Sequence, residues 1–417
     1  MRIFENIKNI IPLLLPFAIP FSRSIADITI VLVAISFLLK SYFESDWIWA
    51  KEKWFKFSII FLLYCIFINS PLSINSFESL KYSLFFIRWP LFALALSYWI
   101  FNDEKSLKKF FIMMSFVLIF LIFDTWYQYF VGVDIFGIEK FSDTRLTGPY
   151  RRPYIGMWLT KLIILPLFLF ALFKEYKNLL KNKYSFVVIL LFFGTFFLTI
   201  FITGERMALL MAILSIFTIF LGLIASKNIS VSKAVIILIV IAVATYFFSI
   251  TNPEQTQRAI FSTISKIVNW KDSDYGLVWK SAYDVWQESP LFGVGLHKYR
   301  EACGLLGTYG TVDNPSGGGV CFHAHNISMQ LLSETGIIGF VLFFGMVISL
   351  SNRMLKNYIV KKDWLLFFLT LNVLLACFLP IQSNTNFFSN KYSSLVWLLV
   401  GVSLGICKIL RKDLSTK

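Results

Sequence analysis

Long apolar runs recur along this chain from one end to the other, and they constrain its fold more than any other feature. A helix needs about 20 predominantly apolar residues to cross the hydrocarbon core of a bilayer. Of the 417 residues, 57% are hydrophobic and only 15% are charged. This composition excludes a single large water-soluble core and predicts an all-α polytopic membrane protein.

The apolar runs predict about twelve membrane-spanning helices. The first run is short and contains three prolines, so a broken or tilted helix is expected there. No convincing small-residue cleavage site follows it, which favours a retained span over a signal peptide. The expected spans are 8–22, 25–41, 55–70, 80–101, 108–130, 154–173, 184–203, 206–226, 231–250, 326–350, 364–381 and 392–410.

The basic residues set the predicted orientation. A net charge of +15 could suggest a nucleic-acid partner, but the lysines and arginines lie mainly in short links between apolar runs. That distribution is typical of membrane proteins, in which basic links stay in the cytoplasm. We therefore expect membrane lipids and no nucleic acid as partners, with both termini cytoplasmic.

Two longer loops fall on the outer side in this layout, at about 131–153 and 251–325. They divide the chain into spans 1–9 within 1–250, a long outer loop at 251–325, and spans 10–12 within 326–417. The second loop is too long to be a simple connection. Residues 276–289 within it have amphipathic helical spacing, which we interpret as a helix along the membrane surface.

All three histidines of the chain lie in the second loop, and His325 is the last of them. Asn326 is a favourable N-cap, so the tenth span is predicted to begin there, with unpaired N–H groups that attract a phosphate. Gly336 and Gly339 fall near the face of His325 and would allow close helix packing. Glu334 lies on the opposite side and is expected to be a buried structural partner. Alternatively, His325 is a solvated loop residue and the glycines are ordinary packing residues.

The pattern His325-Asn326, nine residues, Gly336, two residues, Gly339 resembles the signature of the O-antigen ligase and O-antigen polymerase superfamily. The phrase SPLFGVG at 289–295, the long outer loop and the number of spans are also similar. The resemblance, closest to O-antigen ligase, implies a GT-C-like membrane glycosyltransferase of the bacterial inner membrane with a periplasmic active site. It implies an undecaprenyl-pyrophosphate-linked glycan as donor, a lipid A–core acceptor, inversion at the sugar, and no cofactor.

The same resemblance implies roles for individual residues. His325 would be the general base, and Arg206 in TGERMALL resembles the family's arginine at the head of a helix. Arginine suits a pyrophosphate because its planar fork binds phosphate oxygens through two bonds. The weaker candidates for pyrophosphate binding are Arg88, Arg145, Arg151, Arg152 and Arg300. Alternatively, these arginines meet lipid headgroups at the interface.

One position departs from the family pattern. Related sequences often have an arginine shortly before the tryptophan of the loop helix, whereas here Tyr275 precedes Trp279. Arg258 or Lys280 could take over that charge, or the pyrophosphate site could be built differently.

Cys303 and Cys321 enclose a glycine-rich loop that ends just before His325. A disulfide is allowed outside the inner membrane and would contribute about 3 kcal/mol by closing this loop. Free thiols are the alternative. The spacing of His323 and His325 lacks further ligands at zinc-binding intervals, so we expect no metal.

Three functions stay open. Ligase is the favoured one, and an O-antigen polymerase would use the same donor, so the arginines do not separate the two. A transporter or flippase would show symmetric halves and charges throughout the membrane depth. Here the polar residues gather at one face of the expected bundle.

Overall fold

The computed structural model describes residues 2–177, 184–307, 321–382 and 386–415. These residues form an all-α bundle, which confirms the predicted fold class. Within the described ranges, the only extended pairings outside helices are two isolated antiparallel bridges, Val133 with Glu139 and Ser142 with Arg145. Both lie in the first of the two long loops.

Helices account for all twelve predicted spans. The first six are α1 (Arg2–Phe21), α2 (Arg23–Glu44), α3 (Lys53–Tyr64), α4 (Ser76–Phe86), α5 (Arg88–Ala95) and α6 (Glu104–Val131). A π-helical turn at Cys65–Asn69 extends α3, and another at Leu96–Ile100 extends α5.

The middle of the chain continues the bundle. Its helices are α7 (Ile155–Leu162), α8 (Ile164–Leu172), α9 (Lys174–Lys177), α10 (Ser185–Ile202), α11 (Arg206–Ala225) and α12 (Val231–Thr251).

The long second loop is itself helical in most of its described part. It contains α13 (Pro253–Thr256), a π-helical turn (Gln257–Phe261), α14 (Ser262–Val268), α15 (Asp274–Glu288) and α16 (Tyr299–Leu305). The last spans are α17 (Ile327–Lys361), α18 (Trp364–Phe378) and α19 (Asn390–Ser415).

In the described ranges, ten helical segments are long and apolar enough to cross a membrane. The remaining two predicted spans correspond to α18, a shorter apolar helix, and to α3 with its π-helical turn. The first helix is continuous, although it contains Pro12, Pro16 and Pro20, which are four residues apart and share one buried face. The expected break is therefore absent from this helix, and the alternative, a tilted helix, stays a prediction.

The core lies where α5 and α19 pack together, with α3 against α17 and α11 against α18 around them. Phe92 of α5 and Trp397 of α19 are fully buried. By contrast, α12 exposes most of its large apolar side chains, among them Ile239 and Phe247. A lipid-facing helix is expected to look like this.

A break in α17 positions the long loop. Gly336 has φ 65° and ψ −176°, a conformation open to glycine almost exclusively. A Cβ atom there would lie 2.2 Å from the carbonyl oxygen of Leu291, so the loop backbone occupies the space. The N–H group of Ile337, released by the break, donates to the carbonyl of Pro290. The prediction of one regular helical face from His325 to Gly336 was therefore wrong.

Buried polar side chains fasten the same loop to the bundle. Asn69 donates to the carbonyl groups of Phe292 and Glu334 at 2.7 and 2.9 Å. Tyr64 of α3 donates to the carbonyl of Thr335 at 2.8 Å. A Cβ at Gly339 would meet the Tyr64 ring at 3.0 Å, so this glycine does permit close packing of α3.

The amphipathic helix α15 packs its apolar face against protein, and its expected position along the membrane surface stays a prediction. Val278, Ala282 and Val285 on its apolar face are buried. The last two belong to a small separate core that includes Cys303 and Cys321, which form a disulfide. The disulfide joins α16 to the segment carrying His325 and so limits how far that segment can move from α15.

Candidate active site

A cavity of about 690 Å³ opens at one end of the bundle, where three segments meet. These segments are the α6–α7 loop, the start of α11, and the long region between α12 and α17. Its polar and charged lining residues are Arg145, Arg152, Tyr154, Thr160, Glu205, Arg206, Arg258, Tyr275, His323, His325 and Gln382. His325 and Arg206, the two residues predicted to be catalytic, therefore face one hollow.

Arg206 is held in place by the long region. It is the first residue of α11, and its Nη2 donates to the Ser262 hydroxyl at 2.8 Å. Its Nε donates to the carbonyl of Arg258 at 3.4 Å. In return, Nε of Arg258 donates to the carbonyl of Gly204 at 3.0 Å. The two guanidinium groups are thus oriented by neutral hydrogen-bond partners, and neither forms an ion pair with a carboxylate in the described part of the chain.

Gly204 makes this arrangement possible. Its φ is +66°, and a Cβ atom there would lie 1.8 Å from the carbonyl oxygen of Thr144. Only glycine allows so close an approach without moving the backbone. The turn before α11 consequently touches the α6–α7 loop and brings Arg145 to Arg206.

Arg145 and Arg152 enter the cavity from the α6–α7 loop. The Arg145 guanidinium lies 5.0 Å from the centroid of the Phe141 ring. Its Nε is buried without a hydrogen-bond partner among the residues that the structure describes. A buried unpaired donor of this kind is costly unless a ligand satisfies it.

Glu205 is the carboxylate in the cavity lining, and it caps a different helix from its own. It accepts hydrogen bonds from the N–H groups of Gly156 and Met157 at 2.6 and 3.2 Å. It therefore fixes the start of α7. Burial raises the pKa of the Glu205 carboxyl to about 7, while the two N–H groups and the charge of Arg145 act in the opposite direction.

The cavity favours an anion. Burial, followed by the charges of Arg145 and Arg206, lowers the pKa of Arg258 to about 10, so it remains a cation at neutral pH. Four guanidinium groups share the lining with one carboxylate that is close to half-protonated at pH 7. Within the described ranges, no three metal-ligating side chains cluster together. The residues present suit a phosphate-bearing ligand.

His325 lies directly before α17, at a backbone φ of 47°. Asn326 caps the helix by accepting from the N–H group of Met329 at 3.0 Å, as its sequence position predicts. The His325 ring packs with a centroid distance of 3.7 Å on His323 and of 6.1 Å, edge to face, on Tyr275. A left-handed histidine is uncommon, and such strain clusters at functional sites.

The environment keeps both imidazoles neutral. Burial lowers the pKa of His325 to about 4. Burial and the neighbouring His325 lower the pKa of His323 to about 3. A neutral imidazole can accept a proton, so His325 is in the form that a general base requires at pH 7.

Three of the predicted pyrophosphate ligands lie elsewhere. Arg88 donates to the Asn390 side chain at 2.8 Å, and its guanidinium lies 4.5 Å from the Trp89 ring. This pairing explains how a charge is accommodated within a span. Arg151 is exposed and lines neither this cavity nor the next. Arg300 lines a second, adjoining cavity.

Sequence reasoning gave too little weight to two residues of the lining. Arg258 was considered only as a substitute for a missing family arginine, and the structure places it beside Arg206. From sequence, His323 suggests only a metal ligand without partners, whereas in the structure its ring packs against that of His325 at a centroid distance of 3.7 Å. The alternating His-Ala-His spacing was the available signal, because a strained turn can bring residues i and i+2 together.

Glu334 is buried as predicted. Its carboxylate accepts from the backbone N–H of His297 at 2.8 Å and from Gln330 at 3.1 Å. It therefore joins α17 to the long region and does not line the cavity with His325.

The fold and the cavity define the chain as a polytopic helical membrane protein with a cationic, histidine-containing site at one end of its bundle. Residues 186–344 match the family model described as O-antigen ligase, and this match supports membership of that family. The match also supports glycosyl transfer of the ligase or polymerase type in general, and the family implies lipid-linked glycan substrates in a membrane environment. No curated protein matches the chain.

Proposed function

We propose that the protein is an O-antigen ligase of the bacterial inner membrane, with the cavity facing the periplasm and both termini in the cytoplasm. It transfers a glycan from undecaprenyl pyrophosphate to a sugar hydroxyl of the lipid A–core oligosaccharide. One observation carries the proposal: His325 and the guanidinium groups of Arg145, Arg152, Arg206 and Arg258 line the same cavity.

The transfer is a single displacement. His325 takes the proton from the acceptor hydroxyl while the oxygen attacks the anomeric carbon of the donor sugar. The bond between that carbon and the pyrophosphate oxygen breaks, and its electron pair leaves with the pyrophosphate. Because attack and departure occur on opposite faces, the configuration at the anomeric carbon inverts.

The arginines supply the charge that this step requires. The negative charge on the leaving pyrophosphate increases in the transition state, where fixed cations in a water-poor cavity have their largest effect. The guanidinium groups of Arg206 and Arg258 are already oriented by Ser262 and Gly204 and need little reorganisation. Arg145 and Arg152 face them from the α6–α7 loop.

Deletion of the gene followed by gel analysis of lipopolysaccharide tests the assignment. A ligase predicts complete loss of capped species together with accumulation of polymerised lipid-linked glycan. A cap of one repeating unit in the deletion strain would instead identify the polymerase. Unchanged lipopolysaccharide would rule out both. Complementation with the wild-type gene is the control.

A further inference from the structure

A second cavity, of about 740 Å³, adjoins the first, and its lining includes neither His325 nor any of the four arginines of the first cavity. The two cavities share four lining residues, Tyr154, Met157, Phe322 and His323. His323 is 9% exposed, and its Nε2 has no hydrogen-bond partner among the residues described. The wall between the cavities therefore contains two aromatic side chains and the imidazole that packs against His325.

The second cavity is lined by four cations and three carboxylates, an excess of one positive charge if all are ionised: Arg23, Lys298, Arg300 and Lys391 against Glu78, Glu301 and Glu334. Lys298 forms ion pairs with Glu78 at 3.3 Å and Glu301 at 3.0 Å. Arg23, Arg300 and Lys391 also line the cavity, and in the described part of the chain none has a carboxylate within ion-pair distance. The uncompensated cations indicate a ligand with negative charge.

Lys391 is the most strongly held of these cations. It is half-buried, and its Nζ lies 3.8 Å from the centroid of the Tyr150 ring. The rings of Tyr154 and Trp158 are each 5.6 Å away. Three aromatic faces stabilise the ammonium group without neutralising it. An incoming anion would therefore meet a cation whose position is already fixed.

The chemistry of the proposed transfer separates the two cavities. In the proposed transfer the pyrophosphate binds in the first cavity, beside Arg145, Arg152, Arg206 and Arg258, so the attacking oxygen must approach the anomeric carbon from the opposite side. The second cavity adjoins the first across the histidine wall and provides aromatic faces, carboxylates and cations. Such a lining suits the rings, hydroxyl groups and acidic substituents of a charged saccharide.

We propose that the second cavity binds the acceptor, as a saccharide that carries a phosphate or carboxylate beside the accepting sugar. Lys391, Arg23 and Arg300 bind this anionic group and hold the hydroxyl near His325. The assignment rests on the proposed ligase function. It predicts that losing these cations weakens acceptor binding and leaves donor binding unchanged.

The test uses the full chain in nanodiscs of neutral phosphatidylcholine. One probe is core oligosaccharide released from lipid A, with its phosphates and after their removal, and the other is undecaprenyl pyrophosphate. The variants are Lys391→Gln and the double variant Arg23→Gln/Arg300→Gln, whose two residues are exposed and whose replacement should not disturb folding. The matched control is Lys81→Gln, an exposed residue that lines neither cavity.

The expected result is a loss of affinity for the phosphorylated oligosaccharide of at least tenfold in both variants. Affinity for undecaprenyl pyrophosphate stays within twofold of wild type, and dephosphorylation weakens oligosaccharide binding to the wild type at least tenfold. Wild-type oligosaccharide binding in the variants would overturn the proposal. So would weakened binding of undecaprenyl pyrophosphate alone, which would assign the cavity to the donor. Loss of oligosaccharide binding when the wild type is placed in nanodiscs that contain phosphatidylglycerol would assign the cavity to a lipid headgroup and would also overturn the proposal.

Failure of the ligase function would look different. In that case the wild type would bind no core oligosaccharide, with or without its phosphates, as expected of a polymerase, or Arg206→Gln would bind undecaprenyl pyrophosphate as tightly as the wild type. Only the acceptor assignment would be wrong if Arg206→Gln weakens binding of undecaprenyl pyrophosphate while the variants of the second cavity bind the core oligosaccharide as tightly as the wild type.

Discussion

Replacing Arg206 gives the most quantitative test of the pyrophosphate site. The side chain has five N–H donors, and the contacts with Ser262 and the carbonyl of Arg258 use two of them. About three therefore remain for a ligand in the cavity. A bidentate contact with phosphate oxygens would use two of these, each worth about 1.5–3 kcal/mol as a hydrogen bond to a charged group.

Loss of both bonds in Arg206→Gln should cost about 3–6 kcal/mol of transition-state stabilisation, or roughly 10²- to 10⁴-fold in kcat/KM. Arg206→Lys keeps the charge without the planar fork, so its loss should be smaller. Ser262→Ala removes the bond that orients the guanidinium, which is worth about 1 kcal/mol, or about fivefold. The predicted order of activity is wild type, Ser262→Ala, Arg206→Lys, Arg206→Gln.

The assay is glycan transfer by the purified protein in nanodiscs, with lipid-linked glycan varied at saturating acceptor. Lys271→Gln is the matched control, because Lys271 is an exposed cation of the same region and lines neither cavity. Wild-type kcat/KM in Arg206→Gln would refute the role of this arginine. An equal loss in Lys271→Gln would show that the effect reflects general charge rather than geometry.

Three further predictions concern protonation, covalent structure and backbone. Because burial lowers the pKa of His325 to about 4, kcat/KM should stay constant near pH 6.5 and should decline only as the pH falls toward 4, where the imidazole gains a proton. A decline near pH 7 that Glu205→Gln removes would belong to the Glu205 carboxyl, whose pKa is about 7. A midpoint at pH 6.5 in both the wild type and Glu205→Gln would contradict the prediction for His325. Reduction of the disulfide, or Cys303→Ser, should lower activity, because the segment that carries His325 is then held less firmly, while the transmembrane bundle stays folded. Glycan transfer measures the activity and thermal unfolding measures the stability of the bundle. Full activity in Cys303→Ser would contradict this prediction. Gly336→Ala should lower both the thermal unfolding temperature of the detergent-solubilised protein and its activity. The reason is that strain at this φ costs about 1–3 kcal/mol and that the new methyl group would lie 2.2 Å from the carbonyl oxygen of Leu291. An unchanged unfolding temperature would contradict this, because it would show that the loop backbone moves aside without cost.

Hydropathy predicted the all-α class and all twelve helical segments, because the need to satisfy backbone groups in lipid leaves few alternatives. The helical periodicity of the sequence gave a wrong prediction at the one position where the backbone leaves the helical conformation. Counting residues on a regular helix placed Gly336 near the face of His325, but its φ of 65° resets the register. The N-cap at Asn326 was predictable because capping depends on neighbouring residues alone.

The composition of the site was harder to predict than its location. Arg145 and Arg152 face the same cavity as Arg206, but Arg151, their immediate neighbour in sequence, does not. Which side of a loop a side chain faces depends on contacts such as the approach of Thr144 to Gly204, and sequence spacing carries no such information. For the same reason Arg258, distant in sequence from Arg206, was not predicted as its partner.

The central claim is that His325 performs the proton transfer while the arginines hold the donor. The most direct test measures both properties in the purified His325→Ala protein in nanodiscs. The account predicts wild-type affinity for undecaprenyl pyrophosphate together with a fall of about 10²- to 10⁴-fold, the usual contribution of general-base catalysis, in single-turnover transfer of lipid-linked glycan to lipid A–core. Transfer at the wild-type rate, from protein that binds undecaprenyl pyrophosphate normally, would contradict it.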